Sequence, residues 1–196
     1  MNNSSNSKNS KNSNKIKNGI RYEKNGWIYL SIKGTAKERG YANGYLLAPE
    51  LKEIFKMLEF NFLNSYGYSR VFFSEIIGEL YGPQIKENYP EFYEEIEYIA
   101  YGAKAHNANL SVNDIIMWNC YVSIDYLMGS LPSLIHKNEK LNKKYGDLFK
   151  EDDEKGTRHT AEGGAKDHCT GFMAVGSYTK DGKIVCGHNS FDIFID

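Results

Sequence analysis

Apolar residues recur at helical intervals in three segments of the chain. In residues 49–64 they are Leu51, Ile54, Phe55, Leu58 and Phe62, a spacing that places them on one face of a helix. Residues 70–80 show the same helical spacing of apolar positions. Pro90 then opens a segment whose apolar stripe consists of Phe92, Ile96, Ile99, Ala100 and Ala103. The pattern predicts three amphipathic helices.

Two capping signals predict further helices. Thr35 can cap a helix in the charged segment that follows it. Ser111, with Asp114 three residues on, predicts a helix that runs to about Leu127. The glycines near the first cap lack the spacing and the lysine of a phosphate loop. Tight packing of a strand against a helix is therefore expected of Gly34, Gly40 and Gly44.

Two segments have the composition of strands. Trp27–Ile32 is aromatic and β-branched and follows the Asn25-Gly26 turn signal. Near the end, apolar runs at 172–178 and 183–186 flank Asp181-Gly182, the signature of a type I′ turn, and predict a hairpin. The expected fold class is therefore α+β, with helices dominating the first two thirds.

Polar composition divides the chain into four parts. Residues 1–18 are almost wholly Asn, Ser and Lys and are predicted to be disordered. Residues 133–166 are rich in Lys, Asn, Glu, Asp and Gly, which predicts a solvated linker. Between them lies the strand plus helical region, 19–132, and after them the segment 167–196. The strand-like run up to Asp196 stops without a turn or cap and is typical of an interrupted domain.

The overall charge bears on the expected partners, and the cysteines bear on the expected compartment. Lys and Arg number 24 and Asp and Glu 25, so no overall field favours nucleic acid or an anionic membrane surface, and no nucleic-acid partner is expected. The three cysteines form no C-x-x-C pair and suggest a reducing compartment. Since no signal-like leader and no membrane-spanning stretch is visible, a cytoplasmic protein is expected.

Candidate chemistry concentrates on Cys169 and on the far end of the predicted hairpin. Cleavage before Cys169 would give the thiol-bearing residue a free α-amine. Such an amine has a pKa of about 7.7 and can accept the thiol proton near neutrality. The second strand ends with His188 and Asn189, with Asp192 close behind. These four residues predict a catalytic site for amide or acyl chemistry, which needs neither a metal nor an organic cofactor.

These residues resemble the mature N-terminus of cysteine N-terminal-nucleophile hydrolases, in particular the penicillin acyltransferase-like (isopenicillin N acyltransferase) family. The run G-T-A-K-E-R-G-Y-A-N-G at 34–44 and the run Y-P-E-F-Y-E-E-I at 89–96 resemble its helical propeptide region. The resemblance implies self-cleavage between His168 and Cys169. It further implies an αββα sandwich, incomplete in this chain, of which 167–196 form the first hairpin, and a small amide or acyl substrate that forms a thioester with Cys169.

A more distant resemblance, to acid ceramidase and the bile salt hydrolases, implies the other site residues. Asn189 matches an Asn of acid ceramidase and the bile salt hydrolases, His188 stands where they usually have Arg, and Asp192 approximates their Asp. A His lacks the permanent charge and planar fork of Arg.

Two other interpretations stay open. The helical region could be a non-enzymatic interaction module whose apolar faces bind a partner or a complementary chain. Phospholipase B-like proteins also share a processed cysteine and an H-N pair after the hairpin, which suggests a lipid hydrolase. For the remaining cysteines, Cys120 and Cys186, and for the fifteen tyrosines, packing in the core or at its boundary is expected rather than catalysis or the stacking of bases.

Overall fold

The computed structural model describes residues 14–149 and 170–189. Over these ranges the chain is mostly helical, with seven α-helices and two small antiparallel sheets, which confirms the expected α+β class. The elements are β1 (Asn14–Ile16), β2 (Gly19–Lys24), β3 (Trp27–Ile32), α1 (Ala36–Leu46), α2 (Ala48–Tyr66), α3 (Arg70–Asn88), α4 (Pro90–Ala105), α5 (Val112–Asn119), α6 (Ile124–Lys137), α7 (Glu139–Tyr145), β4 (Thr170–Gly176) and β5 (Gly182–Asn189).

The chain divides into two compact units, Met1–Val122 and Ser123–Asp196. In the described ranges, no helix combines the length and the apolar character that crossing a membrane requires.

The first sheet has the order β1-β2-β3. Asn25 and Gly26 join β2 to β3 in a two-residue turn with φ of +54° and +81°, so the Asn-Gly signal forms the turn expected of it. The prediction of disorder over 1–18 is wrong for residues 14–18, of which Asn14–Ile16 pair with β2. Strand pairing supplies the hydrogen bonds that stabilise this polar segment, and composition alone does not reveal them. Residues 1–13 lie outside the described ranges.

One face of this sheet lies against α1. Gly19 in β2 approaches the side chains of Ala42 and Leu46 so closely that a Cβ at this position would collide with them. The opposite face carries exposed aromatic side chains, among them the parallel-stacked pair Tyr22 and Tyr29. The sheet therefore separates aliphatic contacts on its inner side from aromatic groups on its outer side.

Arg21 ties the sheet to α2. Its side chain is buried and forms ion pairs with Glu50 on α2 and with Glu23. Burial alone would lower the pKa of the guanidinium, but the hydrogen bonds and charges of the two glutamates raise it above its ordinary value. Arg21 therefore stays charged in the interface between β2 and α2.

Helices α1 and α4 touch backbone to backbone. A Cβ at Gly44 would collide with the carbonyl oxygen of Ile99, and one at Gly102 would collide with that of Tyr41. Gly40 meets the Glu95 carbonyl in the same way. The expectation of strand-to-helix packing is therefore wrong for Gly40 and Gly44, whose missing side chains let two helices approach each other.

Ion pairs flank this glycine contact. Arg39 on α1 binds Glu95 on α4 at 2.6 Å and Glu91 at 3.2 Å. Lys37 lies 3.4 Å from Glu94. The glutamates of residues 91–97, which from the sequence look like a solvated face, in part hold the N-terminal ends of α1 and α4 together.

The N-terminus of α1 has the cap expected from Thr35. The Glu38 carboxylate accepts hydrogen bonds from the Thr35 backbone N–H at 3.0 Å and from its hydroxyl at 3.2 Å, while the Glu38 N–H donates to the Thr35 hydroxyl. This reciprocal capping box satisfies donors that the first helical turn leaves free. The Thr35 backbone bond is the main cause of a lowered Glu38 pKa, and Asn18 adds to it.

We expect an NMR titration to place the Glu38 midpoint below the ordinary value of a glutamate. Because the pKa is lower in the folded chain, the carboxylate stabilises the fold above its unfolded pKa, and this contribution is lost as pH falls through the folded pKa. Thr35→Ala should shift the midpoint only part of the way back, since the backbone donor remains. An ordinary midpoint in the wild-type chain would contradict this account of the cap.

Helices α3 and α5 form the centre of the first unit. Phe73 on α3 lies 4.6 Å, between ring centroids, from Phe62 on α2. Arg70 at the start of α3 forms an ion pair with Asp114, which also closes the capping box of α5 with Ser111. The fully buried side chains here are mostly aliphatic and aromatic and include Phe62, Phe73, Ile76, Ile77, Ile115, Ile116 and Met117.

The prediction of one helix from Ser111 to Leu127 is wrong. Helix α5 ends at Asn119, and the Cys120 N–H is shared among the carbonyls of the preceding turn. Such shared bonds tighten a helix end towards 3₁₀ geometry, and a 3₁₀ turn at Tyr121–Ser123 indeed follows before α6 begins.

The prediction of a polar linker over 133–166 is wrong for residues 133–149. These residues complete α6, form α7 and end in a 3₁₀ turn at Gly146–Phe149. A few widely spaced apolar side chains, Ile135, Leu141 and Phe149, are buried and stabilise the helices. Residues 150–166 lie outside the described ranges.

Candidate functional site

Strands β4 and β5 form the predicted hairpin. Thr170 pairs with Asn189, and Gly171 pairs with His188. The turn differs from the expected type I′, which requires left-handed φ at both central residues. Gly182 has φ of +70° whereas Asp181 does not lie in this region, and the connection runs from Gly176 to Gly182 with a register shift after Ala174. A longer loop therefore replaces the two-residue turn.

The Asp181 carboxylate closes this loop. It accepts a hydrogen bond from the Lys183 backbone at 3.3 Å and forms an ion pair of 2.6 Å with the Lys183 ammonium. These bonds lower the pKa of Asp181. The Asp-Gly signal thus correctly marks the position of the hairpin. The hairpin loop is stabilised by the side chain of Asp181 and not by a type I′ turn.

Two of the four predicted site residues lie within the described ranges. His188 and Asn189 are exposed at the end of β5. Asn189 lies opposite Thr170, the residue that directly follows Cys169 in sequence. Cys169 and Asp192 lie outside the described residues. The register therefore brings Asn189 and His188 to the start of β4.

The two residues face opposite sides of the hairpin, because successive side chains alternate along a strand. Asn189 shares a face with Thr170, and His188 shares the other with Gly171. A Cβ at Gly171 would lie 3.9 Å from Cδ2 of the His188 ring. The glycine therefore keeps the surface beside the imidazole open on one side.

A second glycine, Gly187, lies in the next residue pair of the hairpin. Gly187 pairs with Phe172, and the Phe172 ring lies over the glycine so closely that a Cβ there would collide with it. Such a cross-strand cover of a glycine by an aromatic ring fixes strand register. It stabilises the alignment on which the position of Asn189 depends.

The two described thiols differ in accessibility. Burial raises the pKa of Cys120, which is half-buried at the end of α5 and therefore a poor nucleophile. Cys186 is exposed on β5, opposite Met173. The expectation that both pack in a core is wrong for Cys186, because most side chains on both faces of the hairpin are exposed.

Several clefts in the described part of the chain lie away from the predicted catalytic end. One of about 570 Å³ surrounds the hairpin loop, and its lining residues are Ala174, Tyr178, Thr179, Lys180, Asp181 and Val185. Another of about 320 Å³ lies where β1 meets α1 and α4, with the rings of Tyr41 and Tyr98 in its wall. Within the described ranges, no group of three or more His, Cys, Asp or Glu side chains is arranged to hold a metal ion.

The aromatic outer side of the first sheet is a feature that the sequence pattern only partly indicates. Tyr22 and Tyr29 are 41% and 43% exposed, so the expectation that tyrosines pack in the core or at its boundary is wrong for this pair. The alternation of Ile20, Tyr22 and Lys24 is the signal that could have identified β2 and its exposed face.

No protein-family model matches the chain, and no curated protein or solved structure matches it either.

Proposed function

We propose that the chain is the self-processing part of a cysteine N-terminal-nucleophile hydrolase or acyltransferase, cleaved between His168 and Cys169. The observation that supports this proposal best is the pairing of Thr170 with Asn189, which aligns the residue after the nucleophile with a polar side chain of the second strand. The helices of the first unit would serve as the propeptide region, and the hairpin would be the first element of an αββα sandwich.

The proposed chemistry uses the two functional groups of Cys169 together. Its α-amine accepts the thiol proton, and the thiolate attacks the carbonyl carbon of an amide. The tetrahedral intermediate then collapses to a thioester, and the departing amine takes the proton from the α-ammonium group. Water, or a second amine in a transferase, attacks the thioester and restores the thiol.

Asn189 and His188 have separate roles in this proposal. The tetrahedral oxyanion needs preorganised donors, and loss of one such donor typically costs about 3 to 4 kcal/mol of barrier lowering. The amide of Asn189 and backbone N–H groups can donate to it. The imidazole of His188, on the other face of the strand, would line the substrate site. Asp192 would orient the nucleophile.

Intact-mass spectrometry of the purified chain tests the cleavage. We expect a fragment that begins at Cys169, and Cys169→Ala should abolish it because the attacking thiol is gone. Cys186→Ala is the matched control, since it removes an exposed thiol from the same hairpin and should leave cleavage intact. An uncut wild-type chain, or cleavage that survives Cys169→Ala, would sink the proposal.

The exposure of the hairpin favours a second candidate. Phe172, Met173 and Ile184 are 62%, 69% and 67% exposed, and an isolated two-stranded hairpin is marginally stable in water. A complementary chain or partner that covers these side chains would make the protein an interaction module. An uncut chain in the mass measurement would favour this candidate over the hydrolase.

A further inference from the structure

The outer sheet face is a flat aromatic and basic surface on the first unit. Pairing register and strand alternation place seven residues on it: Lys15, Ile20, Tyr22, Lys24, Trp27, Tyr29 and Ser31. Each of them is exposed to solvent. We propose that this face binds single-stranded nucleic acid, with bases stacked on its rings and phosphates paired with its lysines. The proposal does not depend on the chemistry of Cys169.

The exposure of the rings is the first observation behind the proposal. Trp27 is 72% exposed although tryptophan is usually among the more buried residues. Tyr22 and Tyr29 stack face to face, with centroids 4.9 Å apart and planes only 4° from parallel. Gly19, on the inner face of the same sheet, packs against Ala42 and Leu46 of α1, so the rings on the outer side lie away from that interface. Exposed aromatic clusters of this kind mark binding surfaces.

The spacing of the rings suits nucleobases. Trp27 and Tyr29 lie two residues apart on one strand and therefore about 7 Å apart along it. Successive bases in a stacked strand are spaced at about 3.4 Å, so Trp27 and the stacked pair of Tyr22 and Tyr29 lie about two base steps apart and can contact bases of the same strand. Stacking of bases on aromatic side chains tolerates any sequence because every base has a flat face.

The charge on the outer sheet face suits phosphate. Lys24 lies opposite Trp27, Lys15 lies opposite Ile20, and this face carries no carboxylate. The net charge of −1 led to the expectation of no nucleic-acid partner, but it averages over the whole chain whereas binding depends on one face. Ile20 is the only aliphatic side chain there, which is too little apolar surface to insert into a bilayer. A neutral glycan would not require the lysines.

Fluorescence of Trp27 provides the test. Trp118→Phe leaves Trp27 as the only tryptophan, and the full-length chain in this background is titrated with an oligothymidylate of about twelve nucleotides. We expect quenching of the Trp27 emission. In a separate assay with a labelled oligonucleotide, Trp27→Ala should weaken binding at least about fivefold. Replacing both Lys15 and Lys24 with Gln should make the dependence of log affinity on log salt shallower by about 1.4.

Matched controls lie on α2, away from the sheet. Phe60→Ala removes a ring that is 67% exposed, and Lys52→Gln with Lys56→Gln removes two exposed cations. Both should bind like the parent chain. Three outcomes would overturn the proposal: no response to the oligonucleotide, equal binding by Trp27→Ala, or binding to anionic vesicles or a neutral polysaccharide in its place. Circular dichroism confirms that each variant is folded.

Discussion

Gly44→Ala should lower the free energy of unfolding by about 2 kcal/mol. The new Cβ would occupy the position of the Ile99 carbonyl oxygen, and a helix backbone cannot rotate away as a side chain can. Helices α1 and α4 must therefore separate, and overpacking of this kind typically costs about 1–3 kcal/mol. Alanine's better helix propensity, about 1 kcal/mol over glycine, offsets part of the loss.

The same substitution elsewhere provides the control. A Cβ at Gly129 on α6 would meet nothing within 4 Å. Gly129→Ala should therefore be neutral or stabilising by up to about 1 kcal/mol. Chemical denaturation of the two variants measures the difference. Equal effects at Gly44 and Gly129 would refute the close contact between α1 and α4.

Asp114→Ala should lower the free energy of unfolding by about 3 kcal/mol. Asp114 is only 6% exposed, and its carboxylate binds Arg70 while accepting hydrogen bonds from the Ser111 N–H and hydroxyl, both at 2.8 Å. Removing one partner of a buried pair leaves an uncompensated charge, which typically costs about 3–5 kcal/mol. The lower figure applies because the Arg70 side chain keeps 21% of its surface in solvent.

Two further variants separate the ion pair from the helix cap. Ser111→Ala removes the capping hydroxyl but leaves Arg70 paired, so it should cost only about 1 kcal/mol. Arg70→Met in the Asp114→Ala background should cost little more, because no unpaired charge then stays buried. Urea unfolding of the wild-type chain, the two single variants Asp114→Ala and Arg70→Met and the double variant gives the coupling free energy between Asp114 and Arg70. A coupling near zero would show that Asp114 acts through the cap alone.

The helices of the first unit could be predicted from the sequence because their signals are local. Thr35 and Ser111 each cap a helix through hydrogen bonds to a residue three positions on, and such short-range bonds are readable from residue types. The Asn25-Gly26 turn belongs to the same class, since both residues adopt left-handed φ in a two-residue connection. Apolar periodicity likewise located α2 and α4.

Features that depend on distant partners were not predictable in this way. Asn14–Ile16 forms a strand only because β2 offers it hydrogen bonds. Gly40 and Gly44 look like turn glycines until α4 is placed against them. The helix α7 contains one buried apolar residue, Leu141, so its charged composition reads as a linker.

The candidate site was predictable to the extent that hairpin pairing is. The Gly182 position and the two apolar runs predicted β4 and β5, and the register that pairs Thr170 with Asn189 follows once the strands are aligned. His188 and Asn189 are neighbours in the sequence, but they face opposite sides of the hairpin because side chains alternate along a strand. Cys169 and Asp192 stay predictions, because they lie outside the described residues.

The glycine contact between α1 and α4 has a consequence for the order in which the protein is made. During translation α1 leaves the ribosome well before α4, and the first-made parts of a chain generally fold first. Here the glycine face of α1 has no cover until Pro90–Ala105 has been synthesised. The nascent chain must therefore keep the glycine face of its first helix uncovered while two more helices emerge, and ribosome-bound chains that end before α4 cannot complete this interface.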